Sequence, residues 1–150
     1  MKKLYLAYGS NLNTEQMRFR CPGAKPVGTA VIRNYELLFK GSRTGAYLTI
    51  EPKRGGKVPV AVWEVSAENE RALDRYEGFP AFYYKKDMNV NVRLPDGTAE
   101  RRAAFVYVMH EERPLGVPTG AYVECCREGY GEFGFDERFI DNAIERSVNV

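Results

Sequence analysis

The chain has 150 residues, 44% hydrophobic and 28% charged, with 22 Lys and Arg against 20 Asp and Glu for a net charge of +2. That size supports one domain over residues 1–150, burying roughly 70% of the unfolded surface without disulfide help. The charge balance gives no electrostatic case for a nucleic-acid partner, and no apolar run approaches the roughly 18 residues of a membrane span.

The basic start Met1-Lys2-Lys3 leads into an apolar stretch that stops at Gly9. It is too short for a signal peptide, so the chain reads as cytoplasmic and Lys3 to Tyr8 as a first strand. Gly9-Ser10-Asn11 follows as a tight turn. Gly9 and Asn11 tolerate unusual φ angles, which lets successive backbone N–H groups converge. Converging N–H groups beside a helix start suit an anion such as a carboxylate or phosphate, although an ordinary strand-to-helix turn carries the same signature. Asn13 caps a short helix through about Arg20, with Gln16 at the capping-box position and Cys21-Pro22-Gly23 as the stop.

Val27 to Phe39 is strand material with Gly28 and Asn34 as interruptions, and Gly41 to Gly45 is a loop. Tyr47 to Glu51 and Val58 to Val65 read as two strands of a hairpin around Arg54-Gly55-Gly56. Ser66 caps the next helix, with Glu68 and Glu70 in its first turn and Gly78 just past its end. Tyr83 to Leu94 and Ala99 to Met109 form a hairpin through Pro95-Asp96-Gly97. Thr119 caps a short helix to Glu128, and Asp136 a last one with Phe139, Ile140, Ala143 and Ile144 on one stripe. Strands dominate without alternating regularly with helices, so the fold class is α+β with a mostly antiparallel sheet able to close as a barrel.

Several apparent motifs carry little chemistry. Gly129-Tyr130-Gly131-Glu132-Phe133-Gly134 spells G-x-G-x-x-G, but it follows a helix and only 16 residues remain after it. It reads as a helix stop and a loop, not a dinucleotide fingerprint. His110 is the only histidine and the three cysteines form no C-x-x-C pair. No structural zinc site is expected, and free thiols in a reducing compartment fit better than a disulfide framework. His110 stands at a strand end beside Glu111 and Glu112, solvated rather than poised as a base for Cys21 or Ser10. Cys125-Cys126 lies in an amphipathic helix, with at least one of the pair in the core.

Glu77 is the candidate for proton transfer. It follows Leu73 by four residues, on the same apolar face, in the last helical turn. Partial burial and the negative end of the helix dipole both push its pKa up, which suits a proton shuttle near neutral pH. A frayed, solvated Glu at a helix end has the same local pattern. Tyr76, Phe79, Phe82, Tyr83 and Tyr84 crowd the segment, either lining a pocket or only packing.

Tyr8-Gly9-Ser10-Asn11-Leu12-Asn13 straight after the first strand, then Tyr76-Glu77-Gly78 and the Tyr83-Tyr84 strand, resembles the gamma-glutamylcyclotransferase-like family. Arg20-Cys21-Pro22, Tyr47 to Pro52, Val58 to Trp63 and Pro118 to Tyr122 extend the resemblance over nearly the whole chain. It implies a compact mixed, mostly antiparallel β-barrel with flanking helices. It implies a cyclisation in which the substrate's α-amine attacks its own γ-amide, giving 5-oxoproline and a released amino acid or amine. By the same resemblance Glu77 is the acid/base, and Tyr8, Gly9, Ser10, Asn11 and Leu12 hold the substrate. Tyr107 and a tyrosine of the strand after Glu77 are then pocket residues. Tyr84 alternates with Met88, Val90 and Val92, so it is expected to face the core, and Tyr83 the other side. Tyr84 is the one assigned to the pocket.

The reaction requires no metal, cofactor or histidine. The expected partner is a small gamma-glutamyl substrate, with no nucleic acid and no membrane, bound by a monomer or homodimer. The aromatic surroundings of Glu77 favour gamma-glutamyl-amino acids or amines over glutathione, unless Arg18, Arg20, Arg43, Lys85 or Lys86 reaches the pocket. Two rivals stand beside this reading. One is a non-catalytic carboxylate-binding or interaction module on the same fold, which could dispense with Glu77. The other is a hydrolase using Cys21 and His110.

Overall fold

The computed structural model describes residues 2–148; Met1 of the basic start, with residues 149 and 150, lies outside the described residues. Strands β1 (Lys3–Ala7), β2 (Lys25–Lys40), β3 (Tyr47–Val65), β4 (Tyr83–Arg93) and β5 (Ala99–Met109) close a barrel in the order β1-β3-β2-β4-β5. Neighbours are antiparallel except β1 and β5, where Tyr5 opposite Phe105 closes the ring in parallel. The flanking helices are α1 (Thr14–Arg20), α2 (Ala67–Glu77), α3 (Gly120–Phe133) and α4 (Arg138–Val148), and a 3-10 turn at Ser10–Leu12 joins β1 to α1. This is the α+β barrel class expected from the sequence. Among the described residues, no helix is long and apolar enough to cross a membrane.

Local chemistry explains most boundaries. The Asn13 side chain accepts from the Gln16 N–H at 3.2 Å, capping α1. Gln16 does not close the box; its Oε1 accepts from Arg20 at 2.8 Å. Ser66 and Asn69 do form a reciprocal capping box, and Gly78 ends α2 in the left-handed region at φ 65°. Ile140 and Ala143 of α4 are fully buried, with Phe139 and Ile144 packed beside them.

Two expectations need correction. Residues 47–65 are one continuous strand, not a hairpin. Both halves pair with β2, Tyr35 opposite Pro52 and Arg33 opposite Lys57. The Lys53 to Gly56 segment therefore bulges out opposite Asn34, whose Oδ1 accepts from the Gly55 N–H at 3.0 Å. The glycines relieve a bulge instead of reversing the chain. Helix α3 likewise runs through Gly129 and Gly131 and ends at Gly134. Gly129 is needed for close packing: a Cβ there would lie 2.6 Å from the Leu12 Cβ. That contact presses α3 onto the turn after β1.

The face of β4 and β5 that carries Tyr83, Lys85, Phe105 and Tyr107 is covered by α2. Lys85 pairs with Glu70 at 2.7 Å and Asp74 at 3.0 Å, and the Tyr107 hydroxyl donates to Asp74 at 2.6 Å. These contacts bring the C-terminal end of α2 beside the end of β1.

Candidate active site

A cavity of about 170 Å³ opens between the turn after β1, the end of α2 and the start of β4. Its buried floor is Tyr5, Tyr8, Leu48, Tyr83 and Tyr107. Gly9, Ser10 and Asn11 form one side, Glu77 another, and Tyr47, Tyr76 and Phe82 stand at the mouth, with Tyr122 behind Gly9.

Glu77 arrives here because its helix phase and the αL stop at Gly78 turn it inward. The Asp74 carboxylate one turn earlier is held by Tyr107 and Lys85, whereas Glu77 faces the cavity. Burial lifts its pKa to about 7, with the Arg20 guanidinium opposing the rise. A carboxyl group with that pKa gives and takes protons readily near neutral pH.

The turn is shaped by two bonds, Leu12 N–H to Gly9 C=O at 3.0 Å and Asn13 N–H to Ser10 C=O at 3.1 Å. The N–H groups of Ser10 and Asn11 stand at the open N-terminal end of this 3-10 turn, without an intrahelical acceptor. They are the donors that an anion would meet. Left-handed freedom is not what the turn uses: Gly9 has φ −124°. What Gly9 supplies is space, since a Cβ would sit 3.2 Å from the Tyr122 hydroxyl.

Arg20, at the end of α1, ties the turn to α2. Its guanidinium stacks 3.6 Å from the Tyr76 ring centre. It donates to Ser10 Oγ at 3.4 Å and to Asn11 Oδ1. Ser10 Oγ and the Tyr76 hydroxyl are also bonded, at 3.2 Å. The two sequence segments singled out as candidate sites are thus joined by one network.

Of the substrate-binding residues expected from sequence, Tyr8, Gly9, Ser10, Asn11 and Tyr107 line the cavity together with Glu77. Leu12 and Tyr84 do not. Leu12 is fully buried beneath Gly129 and anchors the turn from below. Tyr84 shares its strand face with Val90 and Val92, as the alternation requires, but lies at the strand's end. There it bonds Glu111 at 2.5 Å and lies beside His110. Tyr83, on the opposite face, is the buried one, and its hydroxyl donates to the Leu48 carbonyl at 2.8 Å. The α2 helix covers that outer face, so the side away from the barrel interior is also enclosed.

The structure does not bring Cys21 and His110 together. The Cys21 thiol points to the Asn69 carbonyl at 3.7 Å and burial pushes it up to about 11, while His110 Nε2 meets the Pro80 carbonyl at 2.7 Å. Cys126 is buried and Cys125 partly so. Tyr5, Tyr47, Leu48 and Tyr122 line the cavity without having been singled out. Tyr47, Leu48 and Tyr122 fall in segments that carry the family resemblance, but neither that nor strand or helix phase separates a pocket wall from core.

Comparison with known proteins adds the chemistry. Residues 5–124 match the family described as gamma-glutamyl cyclotransferase, AIG2-like. The chain is 36% identical over 138 residues to the gamma-glutamylcyclotransferase of Bos taurus, covering 87% of this chain and 71% of that protein. Identity to the Homo sapiens gamma-glutamylcyclotransferase is 31% over 138 residues, with the same 87% and 71% shares. A solved gamma-glutamyl cyclotransferase superposes with a TM-score of 0.79 at 26% identity, over 95% of this chain and 86% of that one.

Proposed function

The chain belongs to the AIG2-like gamma-glutamyl cyclotransferase family, and from that premise we propose how its cavity carries the reaction. The protein is a gamma-glutamylcyclotransferase, cyclising a gamma-glutamyl amide to 5-oxoproline with release of an amino acid or amine. The observation that carries the assignment of residues is Glu77, poised near pKa 7 in a cavity it shares with the Ser10 and Asn11 N–H groups.

The substrate's α-carboxylate binds these N–H groups, as anions do at helix starts. Ionised Glu77 takes a proton from the adjacent α-ammonium. The freed amine attacks the γ-carbonyl carbon, forming the ring C–N bond and a tetrahedral intermediate. Protonated Glu77 then gives its proton to the departing nitrogen as the old C–N bond breaks. The carboxylate so regenerated takes the second proton from the ring nitrogen and passes it to the released amine, which leaves as an ammonium. One carboxyl group thus serves all of these transfers. Nucleophile and carbonyl belong to one molecule, so a cavity that holds the folded-back conformer supplies much of the rate. Tyr107, fixed by Asp74, and Tyr83, fixed by Leu48, form rigid walls for that conformer.

One domain over residues 1–150 carries the whole reaction, on a small-molecule substrate, with no part for nucleic acid or membrane, as a monomer or homodimer. We place it in the cytoplasm, where the free thiols of Cys21, Cys125 and Cys126 persist. Among the described residues the cavity lining includes no Lys or Arg. Lys85 is taken up by Glu70 and Asp74, and Lys86 lines a separate groove between β2 and β4. The cations nearest the mouth, Arg20 over Tyr76 and Arg113 over Phe82, are engaged with its rings. A mouth walled by aromatic side chains favours gamma-glutamyl-amino acids or amines over glutathione, whose second carboxylate would have to draw one of these guanidinium groups away.

The test is a panel of gamma-glutamyl-alanine, a gamma-glutamyl-alkylamine and glutathione, assayed for 5-oxoproline. Release from the first two with higher kcat/KM than from glutathione is expected; glutathione ranking first would overturn the leaving-group assignment. Binding without release from any of them would leave the non-catalytic module as the correct reading. Gly9→Val, which drives a side chain into the Tyr122 hydroxyl, should raise the Kd of a gamma-glutamyl ligand at least tenfold, on the order of 1.4 kcal/mol. Unchanged affinity would place the carboxylate elsewhere.

A further inference from the structure

We infer that Tyr5 is a further catalytic residue, donating its phenol proton in a hydrogen bond to the γ-carbonyl oxygen and aimed there by an Arg20–Asn11–Tyr5 relay. This rests on the cyclisation proposed above and concerns the half of the reaction that Glu77 does not serve. As the ring C–N bond forms, the carbonyl π electrons move onto oxygen. A donor must meet that charge until the old C–N bond breaks and the carbonyl returns. No proton is transferred to the oxygen in this step.

The cavity is rich in phenols, but most of their protons are committed. Tyr8 donates to the Tyr107 carbonyl at 2.7 Å, Tyr83 to the Leu48 carbonyl at 2.8 Å and Tyr107 to Asp74 at 2.6 Å. Tyr76 shares its hydroxyl with Ser10 Oγ. Tyr5 is different: its oxygen accepts from Asn11 Nδ2 at 2.9 Å, and among the described residues its own proton meets no acceptor. The direction of that bond is enforced. Asn11 Oδ1 accepts from the Arg20 guanidinium, so the amide NH2 end must point at Tyr5. Tyr5 can then only accept from Asn11, and its proton turns elsewhere.

The Tyr122 hydroxyl also acts as an acceptor, from the Leu48 N–H at 3.1 Å. Its donor is a neutral backbone amide, whereas the Asn11 amide is itself polarised by a guanidinium, and such chains strengthen the bond at their far end. The Tyr5 ring is held between Phe105 at 5.5 Å and Tyr107 at 5.8 Å, which leaves it little freedom to swing away. Burial and the facing Glu77 carboxyl both raise the Tyr5 pKa. The phenol therefore keeps its proton and stands within the field of the base. A γ-carbonyl between them meets the base on its amine side and a donor at its oxygen.

Arg20 acts through Asn11 and is a positioning residue. The test measures kcat and KM for 5-oxoproline release by wild type, Tyr5→Phe, Arg20→Met and the double variant. Tyr5→Phe should lower kcat about 10²-fold with KM within about threefold. Arg20→Met should lower kcat by a clearly larger factor with Tyr5 present than in its absence, roughly tenfold against about threefold or less, because without the terminal donor only its hold on Ser10 and Tyr76 and its pull on Glu77 remain. A Tyr5→Phe kcat within threefold of wild type overturns the inference. So does an Arg20→Met loss of equal size with and without Tyr5, which marks a structural role. Arg20→Met lies at a half-exposed helix end, so its kcat loss remains a test should Tyr5→Phe fail to fold. Wild type releasing no 5-oxoproline from any gamma-glutamyl amide overturns the cyclisation itself, and this inference with it.

Discussion

Glu70 and Glu77 sit at opposite ends of α2, the same side chain on the same helix, and the fold treats them in opposite ways. Glu70 lies in the first turn, where the helix dipole favours an anion, and is clasped by Lys85 at 2.7 Å and Lys3 at 3.1 Å. Its burial works against ionisation, but the bonds to both lysines prevail and its pKa is lowered. Glu77 lies in the last turn, where the dipole disfavours charge, and burial lifts it to about 7 against the weaker pull of Arg20. Glu70 fastens α2 to β1 and β4; Glu77 is the group that fastening positions. The pair teaches that a carboxylate's function is set by whether cations or apolar walls reach it first.

The largest effect that would break this comparison is kinetic. Glu77→Gln is expected to lower kcat for 5-oxoproline release roughly 10²–10⁴-fold, while Glu70→Gln stays within about threefold of wild type. Similar losses in both folded variants would mean that α2 orientation, not proton transfer, limits the rate.

Stability against pH comes next. A carboxyl group raised in the fold adds stability that is full below its ordinary pKa and is lost as pH rises through the folded value. For Glu77 that window runs from 4.5 to about 7. Glu77→Gln escapes the loss, so its unfolding free energy relative to wild type should climb by about 3 kcal/mol between about pH 4 and about pH 8. Denaturant titrations at the two pH values measure this, and a flat difference would show that Glu77 is not raised in the fold.

The pH–rate profile sharpens the same point. The catalytic base must be ionised in the free enzyme, so kcat/KM should rise about tenfold per pH unit on the acid side and level off near the Glu77 value of about 7. An acid limb at the ordinary carboxylate value would assign the base elsewhere.

Glu70→Gln carries the smallest expected effect, a loss of roughly 0.5–1 kcal/mol from a half-screened ion-pair cluster. The sign is opposite to that of Glu77. Its pKa is lowered in the fold, so its contribution is present above the ordinary carboxylate value and fades as pH falls through the folded one. Chemical denaturation near neutral and near pH 3 distinguishes the two slopes.

Much of this was legible along the chain. The Ser66 cap, the Gly78 stop and the four-residue step from Leu73 to Glu77 act within one helix, where 3.6-residue periodicity and capping chemistry are enough. The order of strands and helices, and with it the α+β class, follows from the same short-range rules. Gly55-Gly56 shows where they stop. Two glycines announce that the backbone departs from a regular strand, but a bulge and a reversal begin alike, and only the pairing of Tyr35 with Pro52 and Arg33 with Lys57 makes it a bulge. Gly129 inside α3 is similar, since its reason is Leu12 more than a hundred residues away in sequence.

The site divides along the same line. Sequence phase alone put Tyr83 and Tyr84 on opposite faces of β4, and placed Glu77 on the buried side of α2, because side-chain direction in a strand or helix is a local property. Which face of β4 becomes a cavity wall was decided by α2 lying across Tyr83, Lys85 and Tyr107. Neither the guanidinium of Arg20 at Ser10, Asn11 and Tyr76 nor the extent of the Glu77 rise, to about 7, could be read before folding, although the direction of that rise could. Both depend on distances between segments that a linear pattern does not contain: hydrogen bonds need contact, and desolvation needs walls brought from β1, β4, β5 and α3 at once.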